Sequence, residues 1–143
     1  MNIIDRFCKS FERDDSDAFA DIFAEDATYV DSLYGICKGR DAIKGLHKRC
    51  HEEGEQYRFT PTVYLFDNDE NAAFEWKFEF VSLMPAGKGK RVSVEGGSFL
   101  SLKDGKIISY REYMDSIAIL LKANVSDERI MKFYHRKYPE EEM

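Results

Sequence analysis

What this 143-residue chain lacks already narrows what it can be. No apolar run approaches the roughly 20 residues that a membrane-spanning helix needs, and the first residues show no apolar signal-peptide core. No dense Lys/Arg cluster offsets a net charge of −6, which argues against a nucleic-acid surface. Cysteine is scarce: Cys8, Cys37 and Cys50 are an odd number without metal-ligand spacing, so reduced thiols in a cytoplasmic protein are expected. Internal repeats, low-complexity segments and linkers are absent too. The expectation is a cytoplasmic protein with no membrane or nucleic-acid partner, no metal and no cofactor.

What is present is a core. Hydrophobic residues make up 43% and aromatics 14%, enough for one domain with a sizeable interior. Ile3, Ile4, Phe7 and Phe11 recur at helical spacing and predict a helix over 2–13. Ser16 is a plausible N-cap for a short second helix with Phe19, Ile22 and Phe23 inward. Residues 27–31 read as a strand, 32–35 as a loop, and Ile43, Leu46 and Cys50 mark a third helix ending at Gly54. From Tyr57 the pattern changes to strands over 57–66, 71–83 and 91–102, with Asp67-Asn68-Asp69 and the 85–89 segment as reversals. Asp104-Gly105 is a two-residue hairpin signal with another strand leaving it. Short helices after Asp115, which is placed to cap the first of them, and from Ser126 to Tyr138 close the chain. Helices first and an antiparallel meander afterwards is the α+β pattern.

The strand after Asp104-Gly105 poses the functional question. Strict alternation puts Ile108, Tyr110, Glu112 and Met114 on one face and Ile107, Ser109, Arg111, Tyr113 and Asp115 on the other. A carboxylate in the middle of the more apolar face is either paired or functional. Earlier in the chain, Tyr29 and Asp31 lie two apart and so share a face; a turn at Asp31-Ser32 is the structural alternative for Asp31.

The segments Phe23-Ala-Glu-Asp-Ala-Thr-Tyr-Val-Asp31, Gly39-Arg-Asp-Ala-Ile43, and Asp104-Gly-Lys-Ile107 with Arg111-Glu-Tyr-Met-Asp115 resemble the nuclear transport factor 2-like superfamily, SnoaL-like type. That superfamily includes polyketide cyclases, ketosteroid isomerases and limonene-epoxide hydrolases. The resemblance covers residues 1–122 and leaves 123–143 as a C-terminal helical extension with the acidic tail Glu140–Glu142. It implies a cone: a curved antiparallel sheet wrapped around the N-terminal helices (the cystatin-like arrangement), with a pocket at the open end and a homodimer formed through the sheet.

It also implies site residues. Asp31 matches the general base of the ketosteroid isomerases, while their oxyanion-stabilising tyrosine falls on Phe7 and their protonated aspartic acid at or next to Gly97. Steroid-type isomerisation is thereby disfavoured. The carboxylate pair, bridging cation and water-holding residues of the epoxide hydrolases correspond to Glu79, Glu112, Lys77, Tyr29 and Asp31. Lys77 stands where those enzymes have a planar Arg, and Glu replaces Asp at both carboxylates. Periodicity alone gives a competing account of 71–83: Phe74, Trp76, Phe78 and Phe80 face the core, and Lys77 and Glu79 face solvent. The expected set is therefore Asp31, Glu112, Glu79, Lys77 and Tyr29 for catalysis, with Phe7, Tyr110, Met114 and Ile108 lining a pocket for a small apolar ligand. The implied activity is carboxylate acid–base chemistry of isomerase, cyclase or epoxide-hydrolase type, the alternative being a non-catalytic binding or dimerisation module.

Three further features carry less. His47 and His51 have metal-ligand spacing but no third ligand, so a solvated helix face is expected. Cys37 could line a pocket mouth. Phe133, Tyr134 and Tyr138 read as a packing stripe that could equally cover the pocket or a partner subunit.

Overall fold

The computed structural model describes residues 2–139, so the tail Glu140–Glu142 lies outside the described residues. Helix α1 (Ile3–Glu12) is capped by Asn2, whose side chain accepts from the Asp5 N–H at 2.9 Å. It buries the stripe Ile4, Phe7, Cys8 and Phe11. Helix α2 (Ser16–Asp21) is capped by Asp15 rather than Ser16, and the Asp15 carboxylate accepts from the Ala18 N–H. One residue inside the helix, the Ser16 hydroxyl is free to pair with His47 Nδ1 at 2.7 Å. Helix α3 (Arg40–Glu53) starts after Gly39, whose φ of +89° favours glycine.

His47 corrects the sequence reading. It is fully buried on α3, stacked on Phe19 at 4.5 Å, with Nε2 3.0 Å from the Phe11 carbonyl. His51 reaches the same carbonyl at 2.8 Å. The pair fastens α3 to the end of α1 instead of facing water, because the last-turn carbonyls of α1 need donors.

Six strands form one curved, unclosed sheet: β1 (Phe23–Asp31), β2 (Gly35–Lys38), β3 (Gly54–Asp67), β4 (Asn71–Ser82), β5 (Arg91–Lys103) and β6 (Lys106–Met114). Their order is β2-β1-β6-β5-β4-β3, antiparallel throughout except that β1 and β6 run parallel. The strand expected at 27–31 begins earlier, at Phe23, and the short β2 was not anticipated. The Asp104-Gly105 hairpin is as expected: both residues have positive φ (+51° and +77°), the requirement of a type I′ turn.

The concave face presents Phe59, Phe74, Trp76, Leu100 and Tyr110 to α1, and Phe7 sits at the centre with its ring 4.6 Å from Tyr110. Gly96 makes room for Trp76, since a Cβ there would lie 2.6 Å from the indole ring. Beyond β6, Asp115 caps α4 (Ser116–Lys122) by accepting from the Ala118 N–H at 3.2 Å. Ser126 caps α5 (Asp127–Lys137). Phe133 and Tyr134 are half-buried and Tyr138 is exposed, so that stripe is only partly a packing surface.

Candidate functional site

The parallel pairing of β1 and β6 builds the site. Their register sets Tyr29 beside Tyr110 and Val30 beside Arg111, with the two tyrosine rings stacked at 4.3 Å. One step further, Asp31 and Glu112 come side by side at the open end of the cone. Both line one cavity of about 60 Å³. Eight of its fourteen lining residues are aromatic, and none is Lys, Arg or His.

Glu112 is only 8% exposed, but its carboxyl is well supplied with donors. The Trp76 indole N–H donates to Ser98 Oγ at 2.8 Å, Ser98 lies 2.7 Å from the Tyr110 hydroxyl, and Tyr110 donates to Glu112 Oε1 at 3.0 Å. Indole is a donor only, which fixes the first bond, and Tyr110 has a single proton, so with that proton donated to Glu112 the middle bond is donated by Ser98. Ser98 accepts from Trp76 and passes its own proton to Tyr110, and every arrow points at Glu112. The Ser32 N–H donates to Oε2 at 3.3 Å. Burial, then the charge of Asp31, push the Glu112 carboxyl well above the ordinary glutamate value.

Asp31 is treated differently. Its Oδ1 accepts from the Leu33 and Tyr34 N–H groups at 2.8 and 2.9 Å, an Asx turn that ends β1. Burial raises its pKa while these two donors and the Lys137 ammonium pull it back. Of the coupled pair, Glu112 therefore holds a proton to higher pH and Asp31 ionises first. Tyr29, buried beside Tyr110, contributes to the cavity wall. The hydroxyls of two further wall tyrosines are tied back: Tyr34 donates to Glu53, which Arg49 holds at 2.9 Å, and Tyr57 donates to the Cys50 carbonyl.

The structure thus brings Asp31, Glu112, Tyr29 and Met114 together on the cavity, with Tyr110 immediately behind Glu112. It does not bring Lys77, Glu79, Ile108 or Phe7 there. Lys77 and Glu79 lie on the outer face of β4, Lys77 exposed and registered opposite Glu95, because the aromatic alternation of β4 commits the other face to the core. Without that cation the bridged carboxylate pair of the epoxide-hydrolase pattern is not built. Ile108 is displaced by a bulge: Ser101 pairs with Ser109 but Leu102 with Ile107, so Ile107 takes the core position. Phe7 belongs to the core beneath Tyr110. Cys37 is half-buried and off the cavity wall, where Cys50 is found instead.

Sequence reasoning missed Ser98 and Lys137. Ser98 carried a signal, a lone hydroxyl among the inward residues Val92, Val94 and Leu100 of β5. Lys137 carried none. It sits 105 residues from Ser32, whose carbonyl accepts from its ammonium. Among the described residues no group of three or more His, Cys, Asp or Glu is arranged to hold a metal ion, and no helix is long and apolar enough to cross a membrane.

The model of the SnoaL-like domain matches residues 4–110. The chain belongs to the SnoaL-like domain family. Solved structures agree on the fold. A hypothetical protein with a ketosteroid isomerase-like fold from Catenulispora acidiphila DSM 44928, in complex with trimethylamine, is 21% identical with a TM-score of 0.77, over 88% of this chain and 95% of that one. A candidate polyketide cyclase from Pseudomonas putida KT2440 is 18% identical with a TM-score of 0.73, over 86% and 95%. An LEH-like epoxide hydrolase from M. tuberculosis is 14% identical with a TM-score of 0.67, over 96% and 93%. No curated protein matches the chain. This SnoaL-like protein therefore shares its fold with cyclases, isomerases and epoxide hydrolases.

Proposed function

We propose that this SnoaL-like protein binds a small, largely apolar molecule in its cone and acts on it by carboxyl acid–base chemistry. The observation that carries the reading is the unequal pair of carboxyls on one aromatic cavity. Asp31, the first to ionise, is the base; Glu112, kept protonated by burial, is the acid or hydrogen-bond donor. Glu112 receives donors on both oxygens, so its own proton is left for a ligand. The Tyr29 hydroxyl supplies a second donor to oxygen that gains charge as Asp31 removes a proton. Proton abstraction next to a carbonyl, the isomerase type, suits this set better than epoxide opening, which would call on the outward-facing Lys77 and Glu79.

Size limits the substrate. At about 60 Å³ the cavity is under half the roughly 150 Å³ that admits benzene, so ligands of a few heavy atoms fit and polycyclic ones do not. The trimethylamine bound by the Catenulispora acidiphila neighbour is of that scale. Deuterium exchange of acetone and butanone in D2O, followed by proton NMR, tests the reading directly. The wild-type protein should accelerate exchange, Asp31→Asn should abolish it, and Glu112→Gln should lower it by about a hundredfold. Binding without acceleration would favour a non-catalytic binding module. Unchanged exchange in Glu112→Gln would remove Glu112 from the mechanism.

The described part of the C-terminal extension, residues 123–139, is the cover of this site in the same reading: the family match ends at residue 110, and Lys137 from α5 reaches the Ser32 carbonyl. A homodimer through the outer face of the sheet completes it, supported by the exposed, neighbouring rings of Phe99 and Tyr113.

A further inference from the structure

We infer that the ligand group this cavity is built to take is a small methylated ammonium, held by aromatic faces and the Asp31 carboxylate. The inference rests on the pocket reading above and names its ligand class. A methylated ammonium presents an apolar shell around a diffuse positive charge, which is what an aromatic wall with carboxyls at one end complements. An anion would suit neither the ring faces nor the Asp31 carboxylate.

The details favour a cation over a neutral ligand. Tyr34 and Tyr57 turn their hydroxyls away, to Glu53 and to the Cys50 carbonyl, and so offer the cavity ring carbon instead of an O–H dipole. The Trp76 N–H is likewise spent on Ser98. Tyr34 already has the Arg49 guanidinium over its ring at 4.6 Å, on the side of Glu53. No basic side chain lines the cavity among the described residues, and the Lys137 ammonium is held on the Ser32 carbonyl. The volume of about 60 Å³ suits a head group of a few heavy atoms.

Dimethylammonium chloride and the neutral, similarly sized ethanol, three heavy atoms each, are the test pair for so small a cavity, titrated into the full-length protein at fixed ionic strength. The indole N–H resonance reports occupancy, since Trp76 is the only tryptophan and lines the cavity. Dimethylammonium should bind at least about tenfold more tightly than ethanol. Asp31→Asn keeps the acceptor of the Asx turn and should erase that preference, with the indole resonance of the free variant still at its folded position. Equal or tighter binding of the alcohol overturns the ammonium assignment and leaves the apolar pocket standing. A preference that survives in Asp31→Asn also overturns it. If neither compound moves the Trp76 signal, both the ammonium assignment and the small-ligand pocket fall.

Discussion

Glu112 shows how a residue can be buried, hydrogen-bonded and still in reserve. Its native pKa lies above its unfolded one, so the native state holds an extra proton between the two values. Stability from this source is greatest below the ordinary glutamate range and is lost as pH rises through the window up to the native value. Glu112→Gln keeps an acceptor for Tyr110 and removes the titration. The variant should therefore gain in Tm relative to wild type as pH increases from 4 to 8, measured by thermal melts across that range. Parallel melting curves would mean that Glu112 does not carry a raised pKa. Asp31 and Glu112 were legible in the sequence because alternation alone puts each on an inward face. Ile108 was misread for the same reason, since one bulged residue reverses the count and a bulge leaves no mark in an isoleucine pair.

Elements hold one another through groups the sequence disguises. The His47–His51 spacing on α3 looks like a solvent face or half a metal site, yet both rings meet the end of α1. Burial pushes His47 down to about 4, so it is neutral in the folded protein at neutral pH. With the native value depressed, its contribution is complete above the unfolded histidine value and is lost as pH falls toward 4. His47→Gln should thus destabilise by about 1–3 kcal/mol at pH 7, through loss of buried hydrogen bonds and ring packing. The gap to wild type should narrow between pH 6.5 and 4 in urea melts; a constant gap would rule out the titration. Helix α5 belongs at this scale as well. The Lys137 ammonium draws down both Asp31 and Glu112, so Lys137→Met should raise both carboxyls, read from carboxyl-carbon NMR titrations. That tie was invisible in the sequence, because nothing local links a terminal lysine to a turn at Ser32.

For the whole molecule, element order and the resemblance together were enough to read the cone, since hairpin signals and aromatic alternation set the long antiparallel strands. They did not supply the order β2-β1-β6, for parallel pairing has no turn to announce it. The outer face is mostly charged, with Lys77, Glu75 and Glu95 around Phe99 and Tyr113. If that face joins two copies, Tyr113→Lys should shift the mass seen by light scattering from dimer to monomer without lowering stability by more than about 0.5 kcal/mol. A wild-type protein already monomeric at high concentration would dispose of the dimer.

The parallel closure of β1 on β6 also sets a schedule. Ser32 and Glu112, which touch in the finished protein, are 80 positions apart in the chain. A chain leaving the ribosome can form α1 to α3 and the β3–β4 hairpin early, but Asp31 has no counterpart until the sixth strand is made. Non-local pairings of this kind are the slow ones. Assembly of the pocket should therefore be the last event of folding, and the age of a newly made molecule could be read from whether its two carboxyls have met.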